Sequence, residues 1–188
     1  MDCGLVNRVL FLDLCNAFDT VDHKILIKKL YLYGIQDTSF NWFNSYLYNR
    51  KQVCKICNTT STYRSLNCGA PQGSNLGPLL FLMYINDLPN CLENSVPDSK
   101  FKNSVPECSK FCMYADDTNL TTCAQTQYIV EEILNSEQNN IHQWLVTSKL
   151  TLNIDKTEYM LIGTRQRLSK CSCEPNISIG GNKLKCLC

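Results

Sequence analysis

Residues 110–123 read KFCMYADDTNLTTC, and this stretch decides the fold. Two apolar, β-rich segments, Lys110–Tyr114 and Asn119–Cys123, flank the short sequence Ala115-Asp116-Asp117, a pattern that predicts a β-hairpin with acids at its tip. Adjacent carboxylates repel each other, so stability alone does not favour them. They suit the hard charge of a divalent cation, which prefers carboxylate oxygens. Two solvated turn residues are the alternative, because aspartate is common in turns.

A third acid follows another predicted strand. Arg8–Leu12 is short, apolar and β-rich, and Asp13 comes directly after it. A carboxylate at the end of a buried strand is unfavourable unless it is paired or binds a metal. Asp13 together with Asp116 and Asp117 therefore outlines a two-metal site. In such a site one ion activates an attacking hydroxyl and the other stabilises the leaving oxygens of a phosphoryl transfer.

The rest of the chain predicts a mixture of helices and strands. We expect Asp19 or Thr20 to cap the first helix and Gly34 to end it. The element order predicts an α+β domain, with an antiparallel sheet and helices packed on one face. Helices are predicted over 21–33, 40–47, 78–88 and 127–148, and strands over 52–56, 62–66, 158–162 and near 177 and 184.

Composition limits the class of protein. The net charge is +1 and the pI about 7.4. Proteins that grip a nucleic-acid backbone usually carry a basic surplus, so a stand-alone nucleic-acid-binding module is disfavoured. No apolar run approaches the ~18–20 residues of a membrane helix. We expect no secretory signal, because Met1-Asp2-Cys3-Gly4 has no basic region before an apolar stretch. We therefore expect an intracellular protein, nuclear or cytoplasmic, without a membrane partner.

The 13 cysteines and one near-repeat allow only weak predictions. Free thiols are the expected state without a secretory signal. The pairs Cys54-x-x-Cys57, Cys171-x-Cys173 and Cys186-x-Cys188 leave a zinc site as the alternative. Residues 94–101 and 103–111 are near-copies of each other, and their prolines predict a loop.

Four segments resemble, in order, motifs A to D of LINE-type (non-LTR, jockey-like) reverse transcriptases. Residues 11–23, FLDLCNAFDTVDH, are similar to motif A, and residues 69–81, GAPQGSNLGPLLF, to motif B. Residues 113–118, MYADDT, resemble motif C with its YADD box, and residues 152–157, LNIDKT, resemble motif D. Four boxes in family order are far more specific than any one of them, so the resemblance favours the two-metal interpretation.

The resemblance implies an RNA-directed DNA polymerase with a palm-like fold. Asp13 and Asp116 would bind two Mg²⁺ ions, for which Mn²⁺ is a possible substitute. The main-chain carbonyl of Leu14 would be a further ligand, and Asp117 would support the site. Lys156 would lie near the triphosphate and donate a proton to the leaving pyrophosphate; an exposed lysine without this role is the alternative.

The resemblance also implies a nucleotide pocket. Phe18, five positions after Asp13, would be the steric gate that excludes a ribose 2′-hydroxyl, although a core aromatic is the alternative. Gln72 and Gly73 would shape the pocket, since glycine allows close approach of the backbone. Asn75 departs from the family pattern, which usually has a small or β-branched apolar residue there.

These implications define the expected domains and partners. Residues 1–163 would form a partial reverse transcriptase domain, and 164–188 a tail leading towards a thumb; we expect fingers and thumb to lie outside this chain. RNA template, DNA primer and dNTPs would bind through the complete enzyme. Two alternatives stay open: a catalytically inactive, truncated retroelement remnant, and a domesticated nucleic-acid-binding module.

Overall fold

The computed structural model describes residues 5–92, 108–164, 166 and 177–187. Most of the near-repeat at 94–111 lies outside these residues. The strands are β1 (Val6–Leu12), β2 (Arg50–Gln52), β3 (Lys55–Ile56), β4 (Thr59–Thr60), β5 (Arg64–Leu66), β6 (Cys108–Tyr114), β7 (Asp117–Ala124), β8 (Glu158–Ile162), β9 (Ser178–Ile179), β10 (Asn182–Lys183) and β11 (Lys185–Leu187). The helices are α1 (His23–Leu32), α2 (Asp37–Leu47), α3 (Leu76–Ile85) and α4 (Gln127–Thr147), with a 3-10 turn at Leu88–Cys91.

The chain divides into two compact units. The sheet unit contains the described residues up to Cys15 and from Asp87 onward, and the helical unit is Asn16–Asn86. None of the helices in the described ranges combines the length and the apolar character that crossing a bilayer requires.

The sheet unit is built on five strands in the order β11-β8-β1-β7-β6. The pairs β8–β1, β1–β7 and β7–β6 are antiparallel, which confirms the predicted central sheet. The edge strand β11 departs from the predicted antiparallel pattern, because it pairs parallel with β8. More than a dozen residues separate β8 from β11, enough chain for the crossover that a parallel pair needs.

Helix α4 packs against one face of this sheet through β1 and β7. That face is closed: Leu10, Leu120 and the α4 residue Ile141 are fully buried. The same face also contains polar groups: the Thr122 hydroxyl donates a hydrogen bond to the Glu137 carboxylate at 3.2 Å. Burial raises the pKa of Glu137, while its hydrogen bonds to Ser109 and Thr122 act in the opposite direction.

In the helical unit, α1 begins and ends close to the predicted positions, but its cap differs. Asp22 is the N-cap, and its Oδ1 accepts the main-chain N–H groups of Lys24 and Ile25 at 2.9 and 3.1 Å. The prediction of Asp19 or Thr20 was therefore wrong by two or three residues. Gly34 follows the helix in the left-handed region with φ +86°, as a helix stop requires.

The two long strands predicted at 52–56 and 62–66 are broken into two short ribbons. β2 pairs with β5, and β3 pairs with β4. The break lies at Cys54 and Ser61, where the Ser61 N–H still donates to the Cys54 carbonyl at 2.9 Å, but the Cys54 N–H donates to the Ser61 side-chain hydroxyl, also at 2.9 Å, instead of to a main-chain carbonyl. Helix α3 also ends earlier than predicted, at Ile85, and Pro89 lies in the 3-10 turn that follows.

Candidate active site

The sheet unit brings the three predicted carboxylates to one end of the sheet. Leu12 is paired with Thr118 across β1 and β7, so one step further along the two strands come Asp13 and Asp117. Asp116 lies in the two-residue turn that joins β6 to β7. Asp13 and Asp116 are half-buried, and Asp117 is exposed. The strand end and the hairpin tip that the sequence predicted for these acids thus lie at the same end of the sheet.

The carboxylates border the face of the sheet opposite α4. Side chains alternate along a strand, so Phe11 and Asp117 point away from the face that holds Leu10 and Leu120. This second face is open: Phe11 is 37% exposed and Met160, across from Val9, is 36% exposed. The acids therefore lie at the margin of an accessible, partly apolar surface.

The hairpin turn has a constrained backbone. Ala115 has φ +54°, in the left-handed region that two-residue hairpin turns often need at this position. A residue with a Cβ adopts this region at a cost of about 1–2 kcal/mol. Seven cross-strand residue pairs between β6 and β7 hold it there, from Cys108 opposite Cys123 to Tyr114 opposite Asp117. The turn that carries Asp116 is thus fixed by the sheet behind it.

The main chain around Asp13 is held by a separate segment. The N–H of Cys15 donates to the carbonyl of Thr151 at 2.8 Å, and the N–H of Asn153 donates to the carbonyl of Asp13 at 2.9 Å. These two bonds enclose an antiparallel bridge between Leu14 and Leu152. Since carbonyls alternate in direction along an extended chain, the carbonyl of Leu14 points away from residues 151–153.

The donors at this end of the sheet fit a hard divalent cation. Carboxylate oxygens and a main-chain carbonyl are the ligands that Mg²⁺ and similar ions prefer. Among the described residues, no three His, Cys, Asp or Glu side chains are placed to hold a metal ion. A metal would therefore need the Leu14 carbonyl, water or phosphate oxygens besides the aspartates. For the same reason, Cys54 and Cys57 have no complete set of zinc ligands among the described residues. Cys171, Cys173 and Cys188 lie outside the described residues.

Lys156 lies in the turn before β8, and its side chain is exposed. Its main-chain N–H donates to the carbonyl of Asn153 at 3.2 Å, which fixes the backbone but leaves the side chain extended into solvent. The residue belongs to the same segment that holds Asp13. Both the proton-donor and the surface-lysine interpretations fit this position.

The other predicted site residues belong to the helical unit, where side chains hold them. The ring of Phe18 lies 4.5 Å from that of Phe81, centroid to centroid, and the N–H of Ala70 donates to the Phe18 carbonyl at 2.7 Å. The amide of Gln72 donates to the Asp19 carboxylate at 2.7 Å. Residues 16–23 and 67–74, from motifs A and B, are therefore joined within this unit.

Two glycines of motif B, Gly73 and Gly77, are required for different reasons. Gly73 has φ +73°, and a Cβ there would meet nothing within 4 Å, so its backbone conformation rather than crowding requires glycine. At Gly77, a Cβ would lie 2.7 Å from the main-chain oxygen of Pro71. Asn75 is exposed at the N-cap of α3 and makes no side-chain cap hydrogen bond, so its exposure makes this departure from the family pattern compatible with the fold.

His23, the last residue of motif A, is buried at the start of α1. It is only 8% exposed, and its Nε2 lies 2.9 Å from the Gly69 carbonyl oxygen. Its main-chain N–H donates to the carbonyl of Asn67, just before motif B, at 3.3 Å. The partners lie more than forty residues away, so no local signal could have identified them.

The net charge of the whole chain, +1, conceals a basic and aromatic surface on the helical unit. Residues 16–86 contain seven Lys or Arg and three Asp, giving +4, whereas the remainder of the chain has −3. On α2, the ring of Trp42 stacks on that of Tyr46 at 5.3 Å, and the Arg50 guanidinium lies 5.2 Å from the Tyr46 ring. Trp42 is 51% exposed. Exposed rings beside cations are suited to stacking with nucleic-acid bases.

Comparisons with known proteins agree with this geometry. A family model described as "Reverse transcriptase (RNA-dependent DNA polymerase)" matches residues 4–183. The chain is 31% identical over 160 residues to a probable RNA-directed DNA polymerase from transposon BS of Drosophila melanogaster, covering 80% of this chain and 16% of the relative. It is 26% identical over 176 residues to the RNA-directed DNA polymerase from the mobile element jockey of the same species, covering 93% and 18%.

A solved structure shows the same fold at low identity. Telomerase from Candida albicans, in complex with a fragment of telomeric RNA, superposes with a TM-score of 0.57 and 16% identity. The match covers 94% of this chain and 29% of that chain. The chain spans less than a fifth of the length of the two curated relatives.

Proposed function

The chain belongs to the reverse transcriptase (RNA-dependent DNA polymerase) family, and on that premise we propose that it is the palm of a non-LTR retrotransposon polymerase. The proposed reaction is attack of a primer 3′-hydroxyl on the α-phosphate of a dNTP, templated by RNA, with release of pyrophosphate. The observation that carries the proposal is the placement of Asp13, Asp116 and Asp117 at one end of the sheet, bordering its open face.

In this proposal the carboxylates of Asp13 and Asp116 and the carbonyl of Leu14 hold two Mg²⁺ ions, with Asp117 in support; Mn²⁺ can substitute. When bound, such ions lower the pKa of an attacking hydroxyl and neutralise charge on the transferred phosphate. The protein's own contribution is orientation: the hairpin turn and the end of β1 present the acids from a rigid sheet. The Lys156 side chain donates a proton to the leaving pyrophosphate.

The helical unit supplies nucleotide selection. The Phe18 ring, backed by Phe81, blocks the space that a ribose 2′-hydroxyl needs and so selects dNTPs. Gln72 lines the same pocket, held by its hydrogen bond to Asp19. The open space around Gly73 suits close approach of a ligand to the backbone.

The partners follow from the same proposal. An RNA template and a DNA primer bind through the complete enzyme, and the basic, aromatic surface around Trp42, Tyr46 and Arg50 supports a contact with unpaired nucleic acid. The palm would cover residues 1–163, with 164–188 leading towards a thumb. The site of action would be intracellular, in the nucleus or cytoplasm.

Primer extension tests the activity. The purified chain is given an RNA template, a DNA primer, dNTPs and Mg²⁺, beside Asp116→Asn and the matched control Asp155→Asn, an exposed turn carboxylate in the same unit. We expect extension by wild type and control, and a loss of at least about a hundredfold in Asp116→Asn, since even outer partners of metal ligands are worth 10–100-fold. Circular dichroism checks that all three proteins are folded.

The same experiment separates the two alternatives. No extension from a folded wild-type chain would contradict present activity and favour the inactive remnant. Salt-sensitive RNA binding that persists in Asp116→Asn, without extension by wild type, would favour a nucleic-acid-binding module. The observation that favours a nucleic-acid-binding module as a second candidate function is the charge of +4 on residues 16–86.

A further inference from the structure

A buried hydroxyl connects Asp13 to the segment that carries Lys156. Thr157 is fully buried at the start of β8. Its Oγ1 accepts the main-chain N–H of Asp13 at 3.4 Å and donates to the carbonyl of Asn153 at 2.8 Å. With the bond from Asn153 to the Asp13 carbonyl at 2.9 Å, both polar groups of the Asp13 backbone are held by residues 153–157.

The arrangement uses both hydrogen-bonding roles of the threonine hydroxyl. A buried polar atom that loses its partner is destabilising, so the Asp13 N–H and the Thr157 hydroxyl hold each other in place. The Asn153 carbonyl also accepts the N–H groups of Lys156 and Thr157, at 3.2 and 2.9 Å. One carbonyl thus organises the turn, and the threonine hydroxyl joins that turn to β1.

We propose that Thr157 is a positioning residue that couples the metal-binding end of β1 to the turn of Lys156. Its hydroxyl fixes the Asp13 backbone, and it transmits any shift of that backbone to the turn. Metal binding at Asp13 and ordering of the Lys156 turn are therefore linked, and linkage of this kind is reciprocal. This proposal rests on the proposed function only in taking a divalent cation as the ligand of Asp13. The hydrogen bonds of Thr157 do not depend on that function.

Three variants test this coupling. Thr157→Val removes the hydroxyl at nearly constant volume, and Thr157→Ser keeps it. Thr147→Val is the matched control, because Thr147 also uses its hydroxyl to bind a main-chain oxygen, that of Gln143, but lies exposed on α4. The measurements are amide hydrogen exchange at Asp13 and Asn153 and binding of Mn²⁺ followed by electron paramagnetic resonance.

We expect Thr157→Val to accelerate exchange at the Asp13 amide by about tenfold, as loss of a net hydrogen bond of ordinary strength predicts. Mn²⁺ affinity should fall by about tenfold, the lower end of the effect of an outer partner of a metal ligand. Thr157→Ser and Thr147→Val should stay near wild type in both measurements. Unchanged exchange in Thr157→Val, or equal effects of valine and serine, would overturn the positioning role.

Two outcomes distinguish a failure of this proposal from a failure of the proposed function. If wild type binds no Mn²⁺, the metal site and the proposed coupling fail, while the exchange rates still decide whether Thr157 positions Asp13. If Thr157→Val does not fold, wild type alone is compared with and without Mg²⁺. Coupling predicts slower exchange at both Asp13 and Asn153 on adding Mg²⁺; protection of Asp13 without any change at Asn153 would contradict it.

Discussion

The two units hold their candidate site residues by different means. In the sheet unit, Asp13 is fixed through its main chain, which is bonded to the segment around Asn153. In the helical unit, Phe18 and Gln72 are fixed through their side chains, one against the Phe81 ring and the other against the Asp19 carboxylate. The difference implies that Asp13 depends on hydrogen bonds to its main chain, one of them from the Thr157 hydroxyl oxygen, whereas the proposed nucleotide pocket depends on contacts between side chains.

The largest effect that we expect in the helical unit comes from Gly77→Ala. The new Cβ would lie 2.7 Å from the main-chain oxygen of Pro71, so the motif B loop or α3 must shift. Such overpacking destabilises by about 1–3 kcal/mol. Thermal unfolding followed by circular dichroism should show a Tm lower by several degrees.

Leu79→Ala is the matched control for this change, because Leu79 lies in the same helix and is 47% exposed. It should alter stability by no more than about 0.5 kcal/mol. A Gly77→Ala variant as stable as the control would show that the loop adapts freely. That result would show that close packing of Gly77 on the Pro71 carbonyl does not constrain the helical unit.

A smaller effect, on selectivity rather than stability, is expected from Phe18→Val. If the ring backed by Phe81 blocks the 2′-hydroxyl, a shorter side chain should raise incorporation of rNTPs relative to dNTPs by about tenfold, the lower range for removing a steric contact in a pocket. Competition between rNTPs and dNTPs in primer extension measures the ratio. The control is Phe43→Val, an aromatic on α2 that contacts Trp42 instead. Equal discrimination in both variants would exclude Phe18 as the gate.

The sequence predicted well whatever depends on local pattern. Short, apolar, β-rich segments identified β1 and the β6–β7 hairpin, so that Asp13 was expected at a strand end and Asp116 and Asp117 at a hairpin tip. The central antiparallel strands and the long helix α4 were also predicted, the helix to within one residue. These features are encoded by period and turn composition, which a single sequence displays directly.

Long-range partners could not be predicted. Thr157 appears in the sequence as an ordinary residue at a strand start, and its bond to Asp13 spans 144 positions. Asp19 was expected as a helix cap, but Asp22 takes that role, and Asp19 binds Gln72 instead. A strand near residue 184 was predicted, but the parallel pairing of β11 with β8 was not, since that pairing depends on the path of the intervening chain.

Net charge was the least informative signal. A value of +1 argued against a stand-alone nucleic-acid-binding module, yet it is the sum of +4 on residues 16–86 and −3 on the rest. The negative part includes the three carboxylates at the sheet end, which divalent cations would neutralise. The charge of each unit, rather than of the whole chain, is therefore the relevant quantity for this protein.

The most direct test of the metal site is where Mn²⁺ binds. Paramagnetic broadening of amide resonances should be strongest at Asp13, Ala115 and Asp116, and it should disappear in Asp13→Asn but persist in the control Asp155→Asn. The physical reason is that Asp13 offers a half-buried carboxylate at the sheet end, whereas Asp155 lies exposed in a turn. Broadening centred elsewhere, or unchanged in Asp13→Asn, would contradict the assignment of this sheet end as the catalytic metal site.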